Sequence, residues 1–246
     1  MKTAIIIPVR LASTRLPNKA LLNETGKTLL EHTVDAARQS KLADEVLMVL
    51  DKETAKHDIP GWQVVTSDTN RNGTQRAAEA LRNNPDLGDI IVNLQVDEPL
   101  VTGEMLDKLI EQMSIPRYYA DGTAKSWDGS GLPTIATLVA PRQGLVLPDY
   151  NKVGVAVEDG ACHWFSRTIA SDMDHIGVYA YRREVLLALA KLHQSQLSKA
   201  ESLEQLDWIV NGYDIAAVEV DEAPLSINTR SDYDQFVKLM KERASV

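Results

Sequence analysis

The feature that most constrains this chain is the regular exchange of short β-branched runs with amphipathic helical stretches over its first 115 residues. AIIIPV (4–9), EVLMVL (45–50), GWQVVTS (61–67) and DIIVNLQV (89–96) read as strands. TLLEHTVDAARQS (28–40), TQRAAEALRNN (74–84) and GEMLDKLIEQM (103–113) read as helices. In the first helix Leu29, Leu30, Thr33, Val34 and Ala37 recur at spacings of three and four, so they share one face. Apolar strands joined by such helices need cover on both sides, which predicts a parallel sheet between two helical layers.

Beyond residue 115 the composition changes. Residues 118–131 (YYADGTAKSWDGSG) are polar and Gly-containing and read as a surface excursion. The GSGLPT at its end is no dinucleotide fingerprint, because the third glycine is missing and no strand precedes it. Strands resume at 133–140, 152–158, 175–182 and 213–220. Helices are expected at 183–194, at 201–212 with Gly212 as C-cap, and at 231–243 with Ser231 as N-cap. The expectation is one α/β domain over residues 1–246, a Rossmann-like, doubly wound, mostly parallel sheet. Residues 116–175 would form a small inserted β-rich or dimerisation subregion.

Composition narrows the partners. Hydrophobic residues make up 44% and charged residues 25%, and no run reaches the roughly 20 apolar residues of a membrane span. The N-terminus enters a strand without an apolar signal region, so a cytoplasmic location is expected. The single cysteine, Cys162, beside Trp164 and Phe165, reads as a small core residue rather than a nucleophile. With a net charge of −9 and no basic stripe, nucleic acid is not an expected partner.

Against that acidic background, residues 5–21 (IIIPVRLASTRLPNKAL) place three cations, Arg10, Arg15 and Lys19, on one loop after the first strand. Ligands of open α/β sheets bind at the carboxyl ends of strands. There the guanidinium forks, the ammonium and the N–H groups around Ser13 and Thr14 suit phosphate oxygens, although a solvated basic loop has the same composition. NLQVDEPL (93–100) ends a strand in Asp97 and Glu98 before Pro99. Carboxylates at that edge would repel a triphosphate unless a hard divalent cation lay between them, although an acidic turn after a strand has the same residues. NRNGTQR (70–76) opens a helix at Gly73 and Thr74 between Arg71 and Arg76, which by itself reads as a plain N-cap before it reads as an anion site.

These loops, with WFSR (164–167), HIGVYAYR (175–182), LEQL (203–206) and INTRSDYDQF (227–236), resemble the ordered motifs of the 3-deoxy-manno-octulosonate (Kdo) cytidylyltransferases. The likeness runs from end to end. The first string matches the PARxxSxRxPxK pattern of sugar-acid cytidylyltransferases, and the others favour the Kdo branch. The resemblance implies a fold of the nucleotide-diphospho-sugar transferase type and a homodimer. It implies CTP and an acidic sugar as substrates, with Mg²⁺ as cofactor. Arg10, Arg15 and Lys19 would bind the triphosphate and stabilise charge at the α-phosphate. Ser13, Thr14, Asn72, Gly73, Thr74 and Arg76 would complete the nucleotide side. Gln95, His175, Tyr179, Glu204 and Gln205 would face the sugar acid, and Asp97 and Asn228 would hold the metal.

The sequence departs from that family at four places. Asn228 replaces the second metal-binding Asp, Val96 replaces a glycine before Asp97, and residues 166–175 shorten a loop at the sugar pocket. Ser198 and Asp207 stand where Glu and Arg are expected. These changes lie on the sugar and metal side. Two further readings therefore stay open, a diverged acceptor and a nucleotide-binding module without turnover. A Rossmann dehydrogenase is disfavoured, because no strand leads into GxGxxG.

Overall fold

The computed structural model describes residues 1–11, 13, 15–118, 121–124, 130–142, 152–168 and 170–244. The first half follows the predicted alternation: β1 (Thr3–Val9), α1 (Leu29–Ala37), β2 (Glu45–Leu50), β3 (Gln63–Val65), α2 (Gly73–Asn83), β4 (Ile90–Leu94) and α3 (Gly103–Gln112). β1, β2, β3 and β4 pair in parallel in the order β3-β2-β1-β4. β1 shows why its residues must be apolar throughout. Ile5, Ile7 and Val9 pack on one face with Leu30 and Val34 of α1 and Leu106 and Leu109 of α3. Ala4 and Ile6 pack on the other with Ala77 and Leu81 of α2. The strand period of two thus feeds two cores from one run.

The second half corrects the expectation of a mostly parallel sheet. It contains β5 (Ile135–Pro141), β6 (Gly154–Glu158), β7 (Ala161–Ser166), β8 (Met173–Arg182), α4 (Arg183–Leu189), α5 (Gln196–Glu201), α6 (Gln205–Val210), β9 (Ile215–Glu219) and α7 (Arg230–Ala244). β8 runs antiparallel to both β4 and β5, and only β5–β9 adds a parallel pair. The sheet is therefore mixed, in the order β3-β2-β1-β4-β8-β5-β9-β7-β6. Its last five strands close on themselves, because the start of β8 also pairs with β6. Strand periodicity marks which residues are extended; direction depends on connections that the pattern does not encode.

Helical details also differ from the sequence reading. The helix expected over 201–212 is two helices, broken where Ser202 adopts φ +55 and Leu203 turns inward. Gly212 does close the second, at φ +81, with its N–H on the Ile209 carbonyl at 2.9 Å. The last helix begins at Arg230, and its entry is organised by Thr229 and Asp232 rather than Ser231. The Asp232 carboxylate accepts the N–H groups of Asn228 and Thr229 at 3.0 and 2.7 Å. β7 is a strand with no counterpart in the sequence reading; its Cys162 is buried in the core, with burial pushing the thiol up to about 12. The excursion at 118–131 lies partly outside the described residues, apart from a bridge between Tyr118 and Ala124.

Candidate active site

A cleft of about 830 Å³ opens at the carboxyl ends of β1 and β4. Because β8 is antiparallel to β4, with Leu94 opposite Val178, the residues that begin β8 arrive at this same edge. Arg10 and Arg15 from the loop after β1, Gln95 and Asp97 from the end of β4, and His175 and Tyr179 from β8 all line it. Tertiary structure thus joins segments some 80 residues apart in sequence.

The cationic loop is held from beneath. Leu16 is buried against Leu29, Ile227 and Phe236, and Asn18 takes a left-handed conformation at φ +54 before a 3-10 turn at Lys19–Leu21. Arg10 and Arg15 stay exposed toward the cleft. Lys19 does not line the open space. Its Nζ lies 2.5 Å from Asp97 Oδ2 and donates to the Ile227 carbonyl at 3.1 Å. Ser13 holds the loop itself, its Oγ accepting from the Leu16 N–H at 3.4 Å. Thr14 lies outside the described residues.

On the second loop Asn72 caps α2, its Oδ1 accepting from the Gln75 N–H at 2.9 Å. Gly73 permits a close approach, since a Cβ there would lie 2.9 Å from Gln95 Nε2. Asn72 Nδ2 and Thr74 Oγ1 donate to the two oxygens of Glu204 at 2.6 and 3.0 Å, which ties α2 to the start of α6. Arg76 points away from the cleft; it is buried, donates to Thr66 Oγ1 at 2.8 Å and lies 4.0 Å from Asp51. Burial lowers its pKa. The structure therefore gathers Asn72 at the cleft, with Thr74 behind it through Glu204, and leaves Arg76 outside.

His175 is packed edge-on against Phe165 and tilted against Tyr179, with Nε2 3.1 Å from Thr137 Oγ1. Burial first, and then the Arg167 charge, lowers its pKa to about 3, so the ring is neutral. Tyr179 stacks on Tyr181, and burial raises its phenol well above the usual value. Gln205 lines the cleft beside Glu204.

The metal question turns on Asp97 and Asn228, which both line the cleft. The Asp97 backbone carbonyl accepts from the Ile227 N–H at 2.8 Å, so the two loops are sewn together. Asn228 donates through Nδ2 to Ser226 at 3.2 Å, and its amide oxygen receives no bond from a described residue. Among the described residues no group of three or more His, Cys, Asp or Glu could hold a metal. A carboxylate and an amide oxygen, with the Lys19 ammonium resting on the carboxylate, are a hard-oxygen set that suits Mg²⁺ completed by phosphate and water oxygens.

Several further residues stand at the cleft; the sequence reading marks Glu98 as a carboxylate at this edge, but neither Arg142 nor Asp174. Glu98 is buried next to Asp97, its Oε2 without a partner among the described residues, and burial first, then Asp97, raises its pKa to about 8. Arg142 and Asp174 form a largely buried ion pair at 2.5 Å, with Asp174 on the cleft wall. Arg167, already visible in WFSR, reaches the same wall. Val96 does not intrude on the cleft, because its side chain turns into the core with Leu94 and Val101.

The cytidylyltransferase family model matches residues 4–215. A 3-deoxy-manno-octulosonate cytidylyltransferase of Geotalea daltonii is 33% identical, covering 99% of this chain and 100% of that protein. The enzyme of that name from Chlorobium phaeobacteroides is 35% identical, covering 98% of each. Among solved structures, CMP:2-keto-3-deoxy-manno-octonic acid synthetase complexed with CTP superposes with a TM-score of 0.83. It is 29% identical and covers 99% of this chain and 100% of its own.

Proposed function

Because the chain belongs to the cytidylyltransferase family, and within it to the 3-deoxy-manno-octulosonate cytidylyltransferases, we propose that it couples CTP to Kdo, giving CMP-Kdo and pyrophosphate. The observation that carries this reading is a single cleft in which Arg10 and Arg15 face Asp97, Gln95 and His175. In the reaction the anomeric hydroxyl of the sugar acid forms a bond to the α-phosphorus of CTP. The bond to the pyrophosphate oxygen breaks, and the hydroxyl proton departs. Positioning and charge neutralisation supply most of the catalysis of such a transfer.

Arg10 and Arg15 bind the triphosphate and offset the charge that grows as pyrophosphate leaves, and Lys19, resting on Asp97 behind the open space, adds positive charge from beneath. Ser13 supports that loop, Thr14 contributes to nucleotide binding, and Asn72, Gly73 and Thr74 shape the nucleotide wall, with Arg76 behind it. Gln95, His175, Tyr179, Glu204 and Gln205 form the acceptor side, where neutral His175 serves as a hydrogen-bonding group. Asp97 and Asn228 hold Mg²⁺, which when bound neutralises phosphate oxygens and polarises the α-phosphate. The parallel half β3-β2-β1-β4 serves as the Rossmann-like nucleotide side. Residues 116–175 serve a homodimer, for which sedimentation at twice the 27.2 kDa chain mass is the check.

The deciding experiment is pyrophosphate release from CTP and Mg²⁺ with Kdo, with UTP, ATP and other sugar acids as controls. Release that requires both CTP and Kdo is expected. Measurable CTP binding without release for any acceptor would overturn the reading.

A further inference from the structure

The acceptor side of the cleft has two arms of opposite character. At one, Arg167 lies near enough to His175 for its charge to act on the imidazole, and Lys152 lines the same wall. At the other, Glu204 and Asp207 stand together. Their proximity shows in Glu204, whose carboxyl is raised to about 7 by burial first and by the Asp207 charge in addition. The Arg71 charge acts on Glu204 in this arm, and its guanidinium donates to the Leu192 carbonyl at 3.4 Å.

Within the acidic arm the polar groups are unequally occupied. Glu204 gives both oxygens to Asn72 and Thr74 of the α2 loop. Asp207 accepts the Ser195 N–H at 2.7 Å through Oδ1, and no described residue donates to its Oδ2. Ser198 lines the cleft at 1% exposure, and its Oγ has no partner among the described residues. A buried hydroxyl without a partner is costly and uncommon, and one at the wall of a ligand cleft is a group left for the ligand. Beside it Asp207 is an acceptor-only carboxylate, which draws hydroxyl donors and repels anions.

The geometry points to Ser198 and Asp207 as the pocket for the hydroxylated tail of the acceptor, selecting a sugar acid with hydroxyl donors there and rejecting an anionic tail. The carboxylate of the acceptor then lies toward Arg167 and Lys152, so the two arms fix which way round it enters. This rests on the acceptor being a sugar acid, and it adds the residues that read its far end.

The test compares Kdo with a six-carbon 3-deoxy-2-keto sugar acid that lacks the two tail carbons, in wild type, Ser198→Ala and Asp207→Asn. Because Ser198 Oγ has no partner among the described residues, Ser198→Ala is expected to leave Tm unchanged or slightly raised. It should raise KM for Kdo roughly 3- to 10-fold, the worth of one hydrogen bond, with kcat and KM for CTP held. Asp207→Asn keeps the acceptor for Ser195 and is expected to raise KM for Kdo by a similar factor. The six-carbon acid should show no difference among the three proteins. Unchanged KM for Kdo in both variants, or an equal loss for both acids, overturns the pocket. Saturation-transfer NMR of the same two acids, without turnover, separates the claims. Kdo binding that weakens in Ser198→Ala without any pyrophosphate release keeps the pocket and overturns the reaction. Wild-type protein that binds neither acid overturns the pocket.

Discussion

His175 illustrates how a residue named from a sequence motif acquires a chemical state only from its surroundings. Enclosed by Phe165 and Tyr179 and facing Thr137, it is held neutral, with a pKa of about 3 against an ordinary 6.5. Its ring carbon shifts are expected to stay constant from pH 8 down to about 5 in an NMR titration; a midpoint near 6.5 would show a ring open to water. Val96 makes the same point about space. Beside Asp97 in sequence it reads as an obstruction, yet it is buried in the core beneath the site. Val96→Gly is therefore expected to cost about 2–3 kcal/mol of stability, measured by denaturant unfolding, and to leave turnover within a few-fold. A gain in turnover would mean that the side chain does crowd the cleft. Arg15, in contrast, is exposed on the phosphate loop, and Arg15→Ala is expected to lower kcat by about 100-fold or more while CTP still binds. Stopped-flow pyrophosphate release with a separate CTP titration checks both halves of that statement.

The coupling between elements is clearest where α2 meets α6 through Glu204. Its carboxyl has a folded pKa of about 7 against 4.5. Between those values the folded state holds a proton that the unfolded state has released, so this residue's contribution to stability is present below about pH 4.5 and lost as pH rises through about 7. Glu204→Gln keeps the neutral shape and removes the titration. The Tm of the variant relative to wild type is expected to rise from pH 5 to pH 8, and a difference that stays flat would place the raised pKa elsewhere. Strand and helix identity were legible here from apolar period alone, as in β1 with its two cores. The break at Ser202 was not, because φ +55 at a serine is imposed by the burial of Leu203 and leaves no mark in the helical spacing.

Across the whole molecule, Lys19 joins three distant segments by contacting Asp97 after β4 and the Ile227 carbonyl before α7. Asp97→Asn is expected to abolish Mg²⁺-dependent pyrophosphate release and to lower Tm, because the Lys19 ammonium loses its counter-charge. Full turnover in that variant would remove Asp97 from the metal site. The strand β8 carries the other long-range consequence. By running antiparallel between β4 and β5, it turns His175 and Tyr179 toward the edge where the parallel strands end.

The sequence by itself determined the alternating elements, the three cations on the loop after β1, the paired carboxylates after β4 and the family motifs, because each is written in adjacent residues or in a local period. Tertiary structure alone decided the direction of β8, the inward turn of Val96, the withdrawal of Arg76 from the cleft, and the burial beside Asp207 of a Ser198 hydroxyl with no partner among the described residues. Each of these depends on which distant segment packs alongside, and burial and hydrogen-bond partners are set there rather than by neighbours in the chain.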